Sequence, residues 1–375
     1  MAKKILPIVT KDNHVKSECW TNLILSIIQT SEHYQAWLAS HIGIFGTDDN
    51  SCWYGNLSKI FSYRDSFDIL NFEEVNIWSV PPENIISFLH NELDQENYVI
   101  LEFKHIVNQN DNAYWIHEQL IFGYDDERKV FFGSSTNSDT GAHIDLQFTY
   151  DELKTIYSCS YEHFKSPSNK EDFIFWSRSN FLITRINLRK DYTPQGSEYS
   201  FIQNLIIEKD GKEYTSIQYD DNFNIIMQQK MYSGVACLIG AKKYIDRLWN
   251  EKHFIDQDTD IQYNDLFGRV SLKLAKDFYK LYEHRIIILH LLKWFYTKTN
   301  IVDFGSSIAV KEYELCCHDM NVYYQTALKF SVSRDWNVLK HLIEIFSTHY
   351  STEYNTLGKL VIEMKEIWHK FKLNS

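Results

Sequence analysis

The sequence predicts an α+β protein whose N-terminal half mixes strands with helices and whose C-terminal half is mostly helical. A clear β-hairpin pattern lies before residue 140, and long amphipathic patterns with helical spacing dominate after about residue 198. The composition agrees with a packed globular chain, because 44% of the 375 residues are hydrophobic, 23% are charged, and only 5 are Pro and 13 Gly. These values favour a sizeable core over disordered linkers.

The N-terminal half contains five predicted elements in order. Residues 20–41, WTNLILSIIQTSEHYQAWLASH, repeat apolar residues at spacings of three and four and predict one helix. Residues 81–95, PPENIISFLHNELDQ, predict a helix that begins at proline, and residues 97–103, NYVILEF, predict a buried strand. The segments WIHEQLIFGY and KVFFGSS flank the charged turn DDER and predict a hairpin, and YDELKTIYSCSYEHF (150–164) predicts a helix after it.

The stretch SPSNKED at 166–172 is the best candidate for a domain boundary, so we expect domains at 1–168 and 169–375. The segment FIFWSRSNFLITRINLR that follows alternates like one or two strands and could complete the N-terminal sheet. Three later stretches predict helices, NDLFGRVSLKLAKDFYKLYEHRIIILHLLKWFYTKT (as one helix or two), NVLKHLIEIFSTHY and TLGKLVIEMKEIWHKF. The expected C-terminal domain is therefore mostly helical.

Charge and cysteine usage restrict the partners and the compartment. The net charge is −12, and an acidic surface repels phosphate backbones, so we expect no nucleic-acid partner. No apolar run in the sequence reaches about 18 residues, so we expect no membrane partner. The six cysteines are scattered without a CxxC, and the first residues lack the pattern of a secretory signal, so we expect a reduced cytoplasmic location. We expect neither a bound cofactor nor a metal.

Cys19 is the first candidate for chemistry, because it stands directly before Trp20 at the start of the first predicted helix. Free backbone N–H groups at a helix start carry partial positive charge and favour a thiolate, which is the nucleophilic form of cysteine. The alternative is a buried core thiol, which is what most free cysteines are.

His117 is the candidate base for that thiol, because it heads a predicted strand that runs into a Gly-Tyr turn. A histidine on a rigid strand is held in position, as general-base catalysis requires. The alternative is a strand histidine that only makes a structural hydrogen bond.

Together these residues resemble the pattern of papain-like cysteine peptidases: Cys19-Trp20 at a helix start and, about one hundred residues later, His117 followed by five residues and Gly-Tyr. The resemblance implies a papain-like N-terminal domain, with the cysteine on a helix N-terminus and the histidine on an antiparallel sheet. Family members carry a glutamine six residues before the nucleophile in the oxyanion hole, and here that position is Asn13 (19 − 13 = 6). The second oxyanion donor would be the backbone N–H of Cys19.

The third catalytic member departs from the family pattern. In papain-like enzymes an Asn or Asp lies about sixteen residues past the histidine, and here that position falls in the GSS of residues 133–135, which has no carboxylate or amide. The resemblance leaves Ser134, Asn137 and Asp139 as the alternatives for orienting the imidazole. Asp125 and Asp126 lie in the hairpin turn, at the far end of the strand from His117, where we expect them to stabilise the turn.

One family resembles the whole chain more closely, the butirosin biosynthesis protein H type. The shared features are the early cysteine before an apolar helix, the histidine hairpin ending in GYDD, the YDEL helix start at 150–153, and YEHRIIIL at 282–289. The resemblance implies a thiol acyltransferase that moves an acyl group from a carrier-protein phosphopantetheine thioester to an amine, in the biosynthesis of nonribosomal peptides or related metabolites. The implied partners are an acyl or peptidyl carrier protein and a small amine acceptor, and the helical half could form a homodimer.

Other residue clusters compete with this site. Cys52 in SCWYGN also precedes a tryptophan, but it lies among turn residues without a following apolar helix. The sequence CCHDM at 316–320, with His284 and His290, could indicate a metal site, yet adjacent cysteines chelate zinc poorly and a structural helix fits better. Glu283 and His284 could form a structural polar pair facing solvent or an ion pair, or could line an acceptor site.

Two further functions remain open from the sequence. A papain-like peptidase or amidase would use the same cysteine and histidine with water as the acceptor. A non-catalytic scaffold in a biosynthetic complex would account for the absent third residue.

Overall fold

The computed structural model describes residues 2–10, 15, 19–43, 45–47, 52–53, 67–108, 113–136, 143–165, 183–219, 225–257 and 266–374. The chain forms two compact units, one made of residues 1–34 and 62–193 and the other of residues 35–61 and 194–375. Each unit is thus built from two separate stretches of the chain.

Unit 1 is organised around an antiparallel sheet of seven strands, which are β1 (Lys3–Ile5), β4 (Leu70–Val75), β5 (Tyr98–Asn108), β6 (Ala113–Asp125), β7 (Val130–Thr136), β8 (His143–Thr149) and β9 (Ile183–Leu188). Their order in the sheet is β4-β9-β5-β6-β7-β8, and β1 also pairs with β6. Strand β9, which follows the expected boundary at 168/169, pairs with both β5 and β4. The alternating segment after that boundary therefore supplies a strand to the N-terminal sheet.

The predicted hairpin is present as β6 and β7, joined by a turn at residues 126–129. In the turn, Oδ1 of Asp125 accepts a hydrogen bond from the backbone N–H of Arg128 at 3.1 Å. Asp126 accepts one from the hydroxyl of Tyr150 at 2.8 Å and so joins the turn to the next helix. Both aspartates therefore stabilise the turn.

The helices of unit 1 among the described residues are α1 (Cys19–Ile28), α3 (Ile85–Asp94) and α4 (Tyr150–Lys165). Helix α1 contacts β6 and β7, and its residues 20–28 are buried on every side. Helix α3 stacks His90 on Tyr124 of β6, with ring centroids 4.3 Å apart. Apolar burial on this scale is the main force that holds helices to a sheet.

The single helix expected over residues 20–41 is wrong, because the chain forms α1 and a separate α2 (Tyr34–His41). Between them, the hydroxyl of Thr30 donates to the Ile27 carbonyl at 2.7 Å and the N–H of Tyr34 donates to the Ser31 carbonyl at 3.1 Å. Hydroxyl side chains that bond to nearby carbonyls compete with helix propagation, and here they accompany a turn between the helices.

Unit 2 combines a small antiparallel sheet with a group of helices. The sheet has the order β10-β11-β2-β3, formed by β2 (Phe45–Thr47), β3 (Cys52–Trp53), β10 (Glu213–Tyr219) and β11 (Ile225–Ser233). The helices that follow α2 are α5 (Ser197–Lys209), α6 (Cys237–Gln257), α7 (Leu266–Thr299), α8 (Ile308–Ser333), α9 (Trp336–Phe346) and α10 (His349–Asn374).

Helix α7 and helix α8 make the most extensive helix pair, and α10 packs against α8 and α5. The long stretch that could have formed one helix or two forms the single helix α7 of 34 residues. Its fully buried residues include Leu274, Phe278, Leu281, Leu291 and Phe295, at the helical spacing that the sequence predicted.

The α+β class predicted from the sequence is confirmed: an antiparallel sheet dominates unit 1, and the C-terminal region is mostly helical. Within the described ranges, none of the helices combines the length and the apolar character that crossing a bilayer would require.

Candidate functional site

Cys19 is the first residue of helix α1. The N-terminal amides of a ten-residue helix are therefore adjacent to it, which is the placement that favours a thiolate. Behind it Leu23, Ile24 and Ile27 are fully buried, so the helix axis is fixed by packing. The side chain of Cys19 itself lies outside the described part of the structure.

His117 lies in strand β6, where its Cα partner across the sheet is Phe103 of β5. Helix α1 contacts β6 and the neighbouring strand β7 within unit 1. The fold thus brings the helix that begins with Cys19 against the strand that contains His117. The His117 side chain is outside the described residues, so the pairing of thiol and imidazole stays a prediction.

Ser134 is buried in strand β7, opposite Leu120 of β6 and Asp145 of β8. Its Oγ lies 2.9 Å from Nδ1 of His143, on the neighbouring edge strand. The hydroxyl is thus hydrogen-bonded to a different histidine from the one that the resemblance indicated. A role of Ser134 in orienting His117 stays a prediction.

Some of the remaining candidate residues lie outside the part of the chain that the structure describes. These are Asn13, Asn137 and Asp139. Cys52 is described as the first residue of strand β3, with Gly46 as its Cα partner. A strand position gives Cys52 no helix N-terminus, which agrees with the preference for Cys19.

A second polar cluster lies in unit 2, and its central ion pair joins Arg285 of α7 to Glu353 of α10. Both residues are fully buried, and Nε of Arg285 donates to Oε1 of Glu353 at 3.0 Å. The other carboxylate oxygen of Glu353 lies 3.2 Å from Nε2 of His349, and Nδ1 of His349 lies 3.3 Å from the Tyr323 hydroxyl. Burial would raise the pKa of Glu353, but the Arg285 charge and the bond with His349 hold it at about 2.

Glu208 and His284 form the outer part of the same cluster, with Oε1 of Glu208 3.7 Å from Nδ1 of His284. Burial raises the pKa of Glu208 to about 8, although the positive charge of Arg285 acts in the opposite direction. Burial lowers the pKa of His284, and the Arg285 charge lowers it further. At neutral pH the cluster therefore pairs the Arg285 cation with the Glu353 carboxylate, while the Glu208 carboxyl and the His284 imidazole are neutral.

Of the structural placements expected for Glu283 and His284, solvent or an ion pair, exposure to solvent does not hold, because both side chains are buried. The space between His284, Glu208 and Phe201 leaves no room for a water-sized sphere. Of the two interpretations of this pair, the structural one fits, because a site for an acceptor needs volume.

Cys316 and Cys317 lie side by side in helix α8 with separate partners. The Cys316 Sγ is 3.9 Å from the Thr356 hydroxyl, and the Cys317 Sγ is 3.6 Å from the Arg285 carbonyl oxygen. Burial raises the pKa of the Cys316 thiol to about 12 and raises that of Cys317 as well. Across the described ranges, no group of three or more His, Cys, Asp or Glu side chains is arranged to hold a metal ion.

Comparison with models of known protein families and with curated proteins found no match to this chain.

Proposed function

We propose that the chain is a cysteine-dependent acyltransferase with a papain-like N-terminal unit. One arrangement carries the proposal: helix α1 begins at Cys19 and packs against β6, the strand that contains His117. A helix N-terminus that faces a histidine strand is how papain-like enzymes activate a thiol.

In the proposed reaction the Cys19 thiolate attacks the carbonyl carbon of an acyl thioester. The C–S bond to the phosphopantetheine sulfur breaks, and that sulfur leaves as a thiol with the proton held by His117. The side-chain amide of Asn13 and the backbone N–H of Cys19 donate hydrogen bonds to the tetrahedral oxyanion. The product of this half-reaction is an acyl-Cys19 thioester.

An amine then attacks the acyl-Cys19 carbon. His117 accepts a proton from the amine nitrogen, the new C–N bond forms an amide, and the Cys19 sulfur leaves to restore the starting enzyme. Ser134, Asn137 and Asp139 remain the candidates for orienting the imidazole. The proposed donor is an acyl or peptidyl carrier protein, the acceptor is a small amine, and the proposed compartment is the cytoplasm.

The acyl-enzyme is the intermediate to look for. The full chain would be incubated with an acyl-pantetheine thioester without amine, and intact mass spectrometry would be followed by peptide mapping of the acyl group. We expect one acyl group on Cys19, which is lost in Cys19→Ala. The control is Cys159→Ala, because Cys159 is an exposed free thiol that would report non-specific acylation.

Adding amines to the acyl-enzyme distinguishes a transferase from a hydrolase. Amide formation that competes with water supports the transferase, whereas free acid as the only product at every amine concentration supports a hydrolase. Equal acylation of the wild type and Cys19→Ala would contradict both the transferase and the hydrolase hypotheses, and the non-catalytic scaffold would remain.

A further inference from the structure

Helix α8 of unit 2 presents a row of apolar side chains to solvent. Ile308, Leu315 and Val322 recur at every seventh residue and are 73%, 64% and 39% exposed. Seven-residue spacing keeps side chains on one side of a helix, so the three lie in one row, about 10.5 Å apart along the helix axis. We call Ile308, Leu315 and Val322 the α8 stripe. Exposed apolar rows of this kind are typical of helix–helix contact surfaces.

A groove runs beside the α8 stripe, between α8 and α10. The two helices are antiparallel, because Glu312 pairs with Lys359 at 2.6 Å and Cys316 contacts Thr356 further along. The groove has a volume of about 420 Å³ and is partly lined by Leu315, Asp319 and Asn355. A helix lying along the α8 stripe would have a groove in which to seat its own side chains.

Charged residues stand at symmetric distances on either side of Leu315. Lys311 precedes it by four residues and Asp319 follows it by four. Glu312 precedes it by three residues and His318 follows it by three. In the part of the chain that the structure describes, Lys311 and Asp319 are not joined to any oppositely charged side chain.

We propose that the α8 stripe binds the same stripe of a second copy of this chain, antiparallel and with the two-fold axis at Leu315. This arrangement places Lys311 opposite Asp319 of the second copy, and His318 opposite its Glu312. Ile308 then packs against Val322 of the second copy, and Leu315 against Leu315. A parallel arrangement would instead place like charges opposite each other, so the charge pattern selects the antiparallel dimer.

The length of the α8 stripe limits the strength of this dimer. From Ile308 to Val322 the helix rises about 21 Å, at about 1.5 Å per residue. A single helix contact of this length buries less than the roughly 1,600 Å² of a standard stable interface. We therefore expect a reversible dimer with a dissociation constant in the micromolar range or weaker.

Sedimentation velocity of the full chain, over a series from micromolar to millimolar concentration, measures this association directly. We expect Leu315→Glu to weaken dimerisation by about tenfold or more, because it places two like charges at the axis. The matched control is Ile207→Glu on helix α5, where the side chain is 62% exposed but lies off the stripe. Circular dichroism would verify that both variants keep the fold.

Charge reversal tests the register of the dimer. Lys311→Glu alone, or Asp319→Lys alone, puts like charges opposite each other twice and should weaken the dimer by about threefold to tenfold. The double variant restores opposite charges and should recover the wild-type association. A wild-type chain that stays monomeric throughout the series, an equal loss in Ile207→Glu, or a double variant that is no better than the single variants would each overturn the proposal.

Discussion

At the residue scale, the distribution of charge in the buried cluster of unit 2 follows from its partners. Arg285 is one cation near two carboxylates, and only Glu353 is within hydrogen-bond distance of it. Glu353 also lies 3.2 Å from Nε2 of His349, so its carboxylate has two close partners. Among the described residues, Glu208 has no charged partner within hydrogen-bond distance, and burial therefore keeps it protonated. Two buried glutamates in one cluster thus hold opposite protonation states at neutral pH.

Substituting each glutamate by glutamine separates these two states. Glu353→Gln removes a buried charge and leaves Arg285 uncompensated, so it should lower the free energy of unfolding by about 3 to 5 kcal/mol. Glu208→Gln replaces a neutral carboxyl by a neutral amide of the same size, and at pH 7 it removes a group that the unfolded chain ionises and the folded chain does not, so it should raise that free energy rather than lower it. Urea unfolding at pH 7, followed by circular dichroism, measures both, and equal losses in the two variants would contradict this assignment.

The difference in unfolding free energy between wild type and Glu208→Gln should depend on pH. The folded pKa of Glu208, about 8, lies above its ordinary value of 4.5, so the folded state keeps a proton that the unfolded state releases. The stability that this group contributes is complete below pH 4.5 and is lost as the pH rises toward 8. Wild type should therefore lose stability relative to Glu208→Gln across this window. A constant difference between the two proteins would show that Glu208 is ionised in the folded state.

The two polar sites differ in how far the sequence predicted them. Cys19 and His117 carry local signals, a helix start and a strand, and both elements are present, although β6 begins at Ala113 and His117 is its fifth residue rather than its first. The cluster around Arg285 has no such signal, because Glu208, Arg285 and Glu353 lie on three separate helices. Only tertiary packing decides which buried charges meet, so periodicity along one helix could not identify this cluster.

At the element scale, sequence patterns predicted the strands of unit 2 least well. Strand β11 pairs with β2, whose residues 45–47 are distant in sequence, and β3 has two residues. Strands this short carry no readable alternation, and their pairing depends on contacts far along the chain. The β10–β11 hairpin has strands of seven and nine residues, but it was missed because it lies in a region where helices were expected. The β6–β7 hairpin was predicted correctly because two alternating segments flank a charged turn.

Gly234 fixes the junction between β11 and helix α6. It has a φ of +54°, and an added Cβ would lie 2.3 Å from the carbonyl oxygen of Glu208. Gly196, before helix α5, has a similar φ of +62° but open space around it. The two glycines therefore share a backbone conformation and differ in packing.

Alanine substitutions at Gly196 and Gly234 should distinguish the cost of backbone strain from the cost of steric overlap with neighbouring atoms. Gly196→Ala introduces only the left-handed backbone strain, which costs about 1 to 2 kcal/mol. Gly234→Ala adds overpacking against the backbone of α5, worth about a further 1 to 3 kcal/mol. The free energy of unfolding of each variant, measured in urea, tests this order. A Gly234→Ala variant as stable as Gly196→Ala would mean that the backbone of α5 shifts at this junction without a measurable loss of stability.

At the scale of the whole molecule, the two units alternate along the chain, so each consists of two stretches that are separated by a stretch of the other. Unit 1 is completed by residues 62–193, including strand β9, and unit 2 begins with residues 35–61, including strand β2. A division of the chain at 168/169 would leave β5 and β4 without the strand that lies between them. It would also leave β11 without β2.

Truncated chains test whether the units depend on these strands. The fragment 1–168 lacks β9, so the edge of its sheet beyond β5 is unpaired, and we expect a broad thermal transition at lower temperature, or none. The fragment 1–193 contains every strand of the unit 1 sheet and should unfold more cooperatively. Circular dichroism melts of the two fragments at equal concentration make the comparison. If 1–168 melts as sharply and at the same temperature as 1–193, β9 contributes nothing to unit 1, and the boundary at 168/169 would be the better description of the folding unit.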